Sequence, residues 1–201
     1  MRPISYLAAA ILALFVVPTF AQDGTPTRIR GSIEKLDGQT LVVKSREGQE
    51  LSVMLSNDLN VSAVEKAQLS DIKQGDFIGT AAVPGTDGKL HAQEVLIFPE
   101  ALRGTGEGYR PWDLTPDSTM TNATVAEVAA GAQGRLLKLK YKDGEKELDV
   151  PMAAPIVTLG PGDPSLLQPG TVVFIPAMKA TDGTFAASRV IAGKNGVAPP
   201  M

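Results

Sequence analysis

The sequence has no cysteine, a single histidine, and aromatic residues at only 5% of its positions. Without cysteine there is no disulfide, no thiol nucleophile and no thiolate ligand, so any domain of this chain is held by its core alone. A lipid tether on a cleavage-site cysteine is closed off for the same reason. With His91 alone, a Ser-His-Asp triad would need that one residue, and "KLHAQEV" around it offers no serine, second histidine or cysteine to complete a nucleophile or zinc set. Lysine and arginine are not clustered, and the formal net charge is −3. That argues against sequence-independent binding to nucleic acid, which runs on neutralising phosphates. Stacking platforms are scarce too: beyond residue 21 the aromatics are Phe77, Phe98, Tyr109, Trp112, Tyr141, Phe174 and Phe185, and the phenylalanines fall at core positions.

Long apolar runs are also missing, except at the N-terminus. Arg2 precedes an unbroken apolar run from Leu7 to Val17, eleven residues closed by Pro18 and followed by Thr19-Phe20-Ala21. That length suits the core of a secretory signal and is too short to span a bilayer, and Thr19 and Ala21 supply the small residues a signal peptidase needs. The expectation is a signal peptide over 1–21, a short lead over 22–27, and no membrane insertion after cleavage. Its removal leaves 180 residues with a formal charge of −4, since Arg2 is lost and no acid is. The expected location is periplasmic or secreted.

What the chain does have is an internal repeat. "LSDIKQGDFIGTAAVPGTDGKLHAQEV", 69–95, aligns with "PSLLQPGTVVFIPAMKATDGTFAASRV", 164–190, at a constant offset of 95. Gly75 falls on Gly170, Ile72 on Leu167, Thr86-Asp87-Gly88 on Thr181-Asp182-Gly183, and Val95 on Val190. Upstream the match continues at slightly different offsets, Ile33 with Val125, Leu41 with Leu137 and Val61 with Ile156, as hairpin insertions would produce.

Each copy reads as β. "RIRGSIEKL", "QTLVVKS", "QELSVML" and "DFIGTAAV" alternate or cluster apolar and β-branched residues between turn pairs such as Asp37-Gly38 and Asp87-Gly88. "NATVAEV", "RLLKLKY", "EKELDV", "TVVFIPAM" and "TFAASRVIA" repeat the scheme. One short helical element precedes the fourth strand of each copy; in the second, Asp163 caps, Pro164 opens, Leu166 and Leu167 face inward and Gly170 ends the turn. Five short strands closing on themselves with such a plug are the pattern of an OB-like barrel. The expected fold is mainly β: two tandem OB-like five-stranded barrels over 28–98 and 122–192, each with one short helix, joined by a long ordered linker over 99–121, with a tail over 193–201.

The succession "GSIEKLDGQTLVV", "LSDIKQGDFIGTAAV", "DGKLHAQEVLIF" resembles the small barrel-like domain of unknown function that recurs in exported bacterial proteins. The resemblance implies a tandem pair of such domains. Its motifs are turn and core signatures, so it implies a fold and carries over no activity and no site residues. Thr171 stands where the first copy has Asp76, so Asp76 is not an obligatory part of a duplicated site.

The segment 99–121 exceeds what a linker needs. Arg103, Glu107, Tyr109, Arg110, Trp112 and Asp113 lie within 11 positions, with Pro111 and Pro116 stiffening the backbone around the only tryptophan. Trp and Arg concentrate binding energy, because they combine large area with directional donors. Two arrangements are open: a recognition loop across the junction of the barrels, or a plug in which Trp112 seals the interface while Arg103 or Arg110 pairs with Glu100, Glu107 or Asp113. "GTGEG" at 104–108 is not a phosphate loop, since Pro111 and Trp112 leave no helix to follow it. His91 with Glu94 is a weak metal candidate, and the central acids have no evident partner for glycoside hydrolysis. The expectation is a non-catalytic binding or adaptor protein without a cofactor, engaging an envelope protein or small ligand through Arg103, Glu107, Tyr109, Arg110, Trp112 and Asp113. A periplasmic metal-binding protein or hydrolase using His91 and the acids is the alternative.

Overall fold

The structure, a computed structural model, describes residues 24–132 and 134–199. The expected signal peptide and the last residues of the tail lie outside the described residues. The chain is mainly β. Its first half contributes β1 (Gly24–Asp37), β2 (Thr40–Ser45), β3 (Glu50–Lys66), β4 (Phe77–Pro84) and β5 (Leu90–Ile97). After β6 (Gly108–Pro111), the second half contributes β7 (Thr119–Ala130), β8 (Gly134–Tyr141), β9 (Gly144–Pro151), β10 (Ile156–Pro161), β11 (Val172–Ala180) and β12 (Phe185–Gly193). Among the described residues the only helical elements are three-residue 3-10 turns at Leu69–Asp71, Glu100–Leu102 and Pro164–Leu166. No helix among them is long and apolar enough to cross a membrane.

β1, β2, β3, β12 and β11 form a closed five-stranded barrel. β1 pairs with β2 and β11, β2 with β3, β11 with β12, and β12 returns to β3 in parallel. Its interior holds Ile29, Ile33, Leu41, Val43, Val53, Val173, Ile175 and Val190. β5, β4, β7, β8 and β9 pair in that order into a second ring. It closes from β9 to β5 through two parallel pairs, Leu90 with Leu148 and His91 with Asp149. Ile78, Val95, Val125, Leu137, Leu139 and Leu148 fill it.

The strands are therefore not distributed as the tandem reading of 28–98 and 122–192 expects. Each ring takes three strands from one half of the chain and two from the other. The physical reason lies in β3 and β10, which run straight on where a self-contained barrel would turn back. They cross antiparallel, with Val157 opposite Lys66 and Pro161 opposite Ser62. Midway, Val64 faces Leu159, and these two are equivalent residues at the repeat offset of 95. An approximate twofold axis passes through that pair. The other contacts obey it: β10 pairs with β5 through Ile156–Val95 as β3 pairs with β12 through Val61–Val190.

Each expected short helix is a single 3-10 turn, and the residue after it enters the core of the ring built on the other half. Leu167 packs in the barrel of β1–β3, and Ile72 in the ring of β7–β9. The Asp163 carboxylate caps the second turn by accepting from the Ser165 N–H at 2.8 Å. Gly75 and Gly170, at φ +92° and +87°, complete the exchange. Gly75 N–H donates to the Val125 carbonyl at 2.8 Å, and Gly170 N–H to the Ile33 carbonyl at 2.7 Å.

Simple alternation puts Val95 with His91 and Gln93, but the β4–β5 ladder shifts register between Ala81 and Ala82, leaving Gln93 as the extra residue. Val95 therefore joins Leu90 and Ala92 in the core.

Exchange makes the two rings inseparable without unfolding. A protease site placed within 103–108 and cut is expected to leave the halves associated at the native size on gel filtration, separating only in denaturant; independent barrels would part on cutting. Leu159→Ala, at the crossing, is expected to lower stability by about 2–5 kcal/mol, measured by denaturant melts.

Candidate functional site

The central segment spans the two rings and is pinned at several points. Arg103 begins it: its Nε and Nη2 donate to the two Glu100 carboxylate oxygens at 2.6 and 2.7 Å, and Nη2 also donates to the Gly75 carbonyl at 3.0 Å. The Asn122 amide donates to the Thr105 carbonyl at 2.9 Å, and Glu107 accepts from the Lys142 N–H at 3.0 Å. β6 then adds an antiparallel strand to β7, from Gly108 opposite Asn122 to Pro111 opposite Thr119. Tyr109 stays exposed, with the Lys146 ammonium 4.6 Å from its ring centroid.

Past β6 the chain turns over β1. Trp112 N–H donates to the Ser118 carbonyl at 2.8 Å and the Ser118 hydroxyl donates to the Trp112 carbonyl at 3.2 Å, closing a short loop. Pro116 and Asp117 occupy its tip, with Asp117 at φ +61°. The Thr115 hydroxyl, donating to the Gln93 amide oxygen at 3.0 Å, ties the loop to β5.

This places Trp112 and Asp113 against three arginines that sequence reasoning did not select. Arg28 and Arg30 flank buried Ile29 on β1, so alternation sends both outward. Arg46 follows β2, its N–H donating to the Arg30 carbonyl at 2.8 Å. The Arg28 guanidinium lies 3.9 Å from the Trp112 ring centroid, with Arg110 at 5.4 Å and Arg30 at 5.8 Å. Arg30 Nη2 donates to one Asp113 oxygen at 2.8 Å and Arg28 Nη1 to the other at 3.3 Å. Arg46 reaches the Asp113 and Leu114 carbonyls at 3.4 Å.

The electrostatics follow from that arrangement. Partial burial pushes the Asp113 carboxyl upward, but the Arg30 hydrogen bond and the charges of Arg30 and Arg28 outweigh it and hold the group below its ordinary value. Arg110 is half-buried, and burial first, then the charge of Arg28, push its pKa down. Its Nη1 donates to the Gly106 carbonyl at 2.8 Å, and among the described residues it has no ion pair. The Trp112 Nε1–H is buried and has no hydrogen-bond partner among the described residues.

Of the six segment residues singled out, the structure gathers Arg110, Trp112 and Asp113. Arg103, Glu107 and Tyr109 serve other anchors. Glu100 does pair with Arg103, whereas Asp113 takes its partners from β1. Sequence spacing reveals that Arg28 and Arg30 share an outer face; it cannot reveal what lies on them, because the contact spans 83 positions or more.

The two metal candidates lie differently. Glu94 is 8% exposed. His91 is half-exposed on the seam between β5 and β9, with Nε2 3.1 Å from Asp87 Oδ1 and Nδ1 3.6 Å from Asp149 Oδ2. Each ring nitrogen thus faces a different carboxylate, on opposite sides of the imidazole, and one ion cannot take all three. Among the described residues no three His, Asp or Glu side chains gather to hold a metal. Gly85 lies beneath the ring, where a Cβ would stand 2.3 Å from Nε2. Asp87 is held below its ordinary value, chiefly by the Lys89 N–H and then by His91.

No protein-family model, curated protein or solved structure matches this chain.

A carboxylate with a lowered folded pKa contributes stability that is present above its unfolded value and lost as pH falls through the folded one. Asp113→Asn removes that contribution. Thermal melts are expected to show a lower midpoint for the variant at neutral pH, with the gap to wild type closing as pH drops below about 3.8.

Proposed function

We propose that this chain is an exported, non-catalytic binding or adaptor protein that recognises an envelope protein or a small ligand at the face where the central segment crosses the barrel. The observation that carries the reading is the convergence of Arg110, Trp112 and Asp113 with Arg28, Arg30 and Arg46 on one outer surface. A connection between rings requires length and turns. It does not require the sole tryptophan of the chain under several guanidinium groups, an arrangement of the kind that concentrates binding energy.

Sealing and recognition use the same side chains. The pairs to Asp113 fix the indole, and the Arg28 and Arg46 side chains, 41% and 46% exposed, keep their outer surfaces available to a partner. Export rests on the N-terminal apolar run. We read the two rings as OB-like barrels with exchanged strand pairs, supported by the repeated register and by the plugging turn before the fourth strand of each copy. The metal-carrier or hydrolase alternative has no specific observation in its favour.

In-cell crosslinking of the full chain tests the reading. Wild type is expected to trap a partner that a Trp112→Ala, Arg110→Ala double variant loses while still melting cooperatively. Unchanged capture by the folded double variant overturns it.

A further inference from the structure

We infer that the ligand recognised at this face presents an oxyanion, a carboxylate, phosphate or sulfate group, which docks between Arg28 and Arg110 at the edge of the Trp112 ring. The inference rests on the binding reading above and adds the chemistry of what is bound.

Both oxygens of Asp113 are committed, one to Arg30 and one to Arg28. Arg110 makes no ion pair among the described residues, and its hydrogen bond goes to the neutral Gly106 carbonyl. Arg110 is nevertheless half-buried and shares the Trp112 ring with Arg28, the two guanidinium carbons at 5.4 and 3.9 Å from its centroid. Withdrawing a cation from water without an anion is costly, and placing a second cation beside it adds repulsion. The downward push on the Arg110 pKa from burial and from Arg28 reports both effects.

A residue kept only for packing would do better as a neutral side chain of similar length. An arginine is suited here to something the protein itself does not supply. A guanidinium presents parallel N–H donors in a rigid fork that matches two oxygens of one carboxylate, phosphate or sulfate, and two forks over one aromatic ring can hold such a group together. Arg46, anchored through carbonyls and among the described residues paired only with its neighbour Glu47, adds positive potential at the rim. The Trp112 N–H is buried and has no hydrogen-bond partner among the described residues. All this sits on a chain of net charge −3, so the attraction is local to this face.

Trp112 is the only tryptophan, so its fluorescence reports on the site directly. The full chain is titrated with inorganic phosphate, sulfate and citrate at constant ionic strength set by chloride, with chloride alone as the control. The expected result is a saturable change with at least one oxyanion and none with chloride. Arg110→Gln should weaken it about tenfold or more, and Arg110→Lys, which keeps the charge without the fork, should fall between. Phosphate against citrate separates a tetrahedral group from a carboxylate. An identical response to chloride, or unchanged affinity in a folded Arg110→Gln, overturns the inference. Should Arg110→Gln fail to fold, the wild-type melting temperature decides: no stabilisation by any of the oxyanions beyond that by chloride also overturns it. Partner capture that depends on Trp112, together with no oxyanion response, would leave the binding face standing and remove only the ligand chemistry.

Discussion

The contact on which the rest of the architecture depends is the antiparallel crossing of β3 and β10 at Val64 and Leu159. Because these residues are equivalent in the repeat, whatever favours one half passing through the crossing favours the other equally. Each segment then delivers a plugging turn and two strands to the opposite ring. Val64, Leu96, Val157, Leu159, Phe174 and Ile191 pack around the crossing as a third apolar cluster, and Leu96 with Ile191 is again an equivalent pair. The crossing is therefore a small core with its own approximate symmetry, and burying it is a gain that two independent barrels would forgo.

Exchange changes what the central segment must do. In a tandem protein a linker sets the distance and angle between domains. Here the β3–β10 crossing and its apolar cluster already fix the two rings to each other, so the segment is released from that task. Arg103 at one end, through the Gly75 carbonyl, and Trp112 with Asp113 at the other, through the Arg28 and Arg30 side chains, nonetheless fasten it to both, with β6 paired to β7 between them. Exposed ion pairs of this sort contribute little stability singly. Their effect is positional, holding the indole and Arg110 at one place on β1.

Most of the strand pattern was legible in the sequence because it is local. Alternation, Asp-Gly turns and the repeated Gly75 and Gly170 positions identified ten strands and both plugging turns. The partition into rings was not legible, since equivalent strands carry nearly the same apolar pattern and either copy could complete either ring. β10 and the extension of β3 to Lys66 were missed because self-contained barrels have no use for them. At the site, Trp112, Arg110 and Asp113 stood out by type and density, while Arg28, Arg30 and Arg46 looked like ordinary outward-facing strand and turn residues. Their role arises from contacts 67 or more positions distant.

Symmetry also relates the two seams that close the rings. The two closing seams superpose in register: Leu90–Leu148 and His91–Asp149 in one answer to Phe185–Val53 and Ala186–Met54 in the other. Their chemistry has diverged, to an imidazole between carboxylates in one and, in the other, to a shallow pocket of about 310 Å³ lined by Met54, Met178 and Ala186. Neither seam assembles a reactive set, so divergence there is compatible with any residues that keep the ring closed. The β6 strand and the loop after it lie between the two copies and set Arg110, which has no ion pair among the described residues, against the half-buried Trp112 ring. The residues that keep the rings closed are therefore separate from the segment that sets the only tryptophan of the chain beside Arg110, so one set can change without disturbing the other.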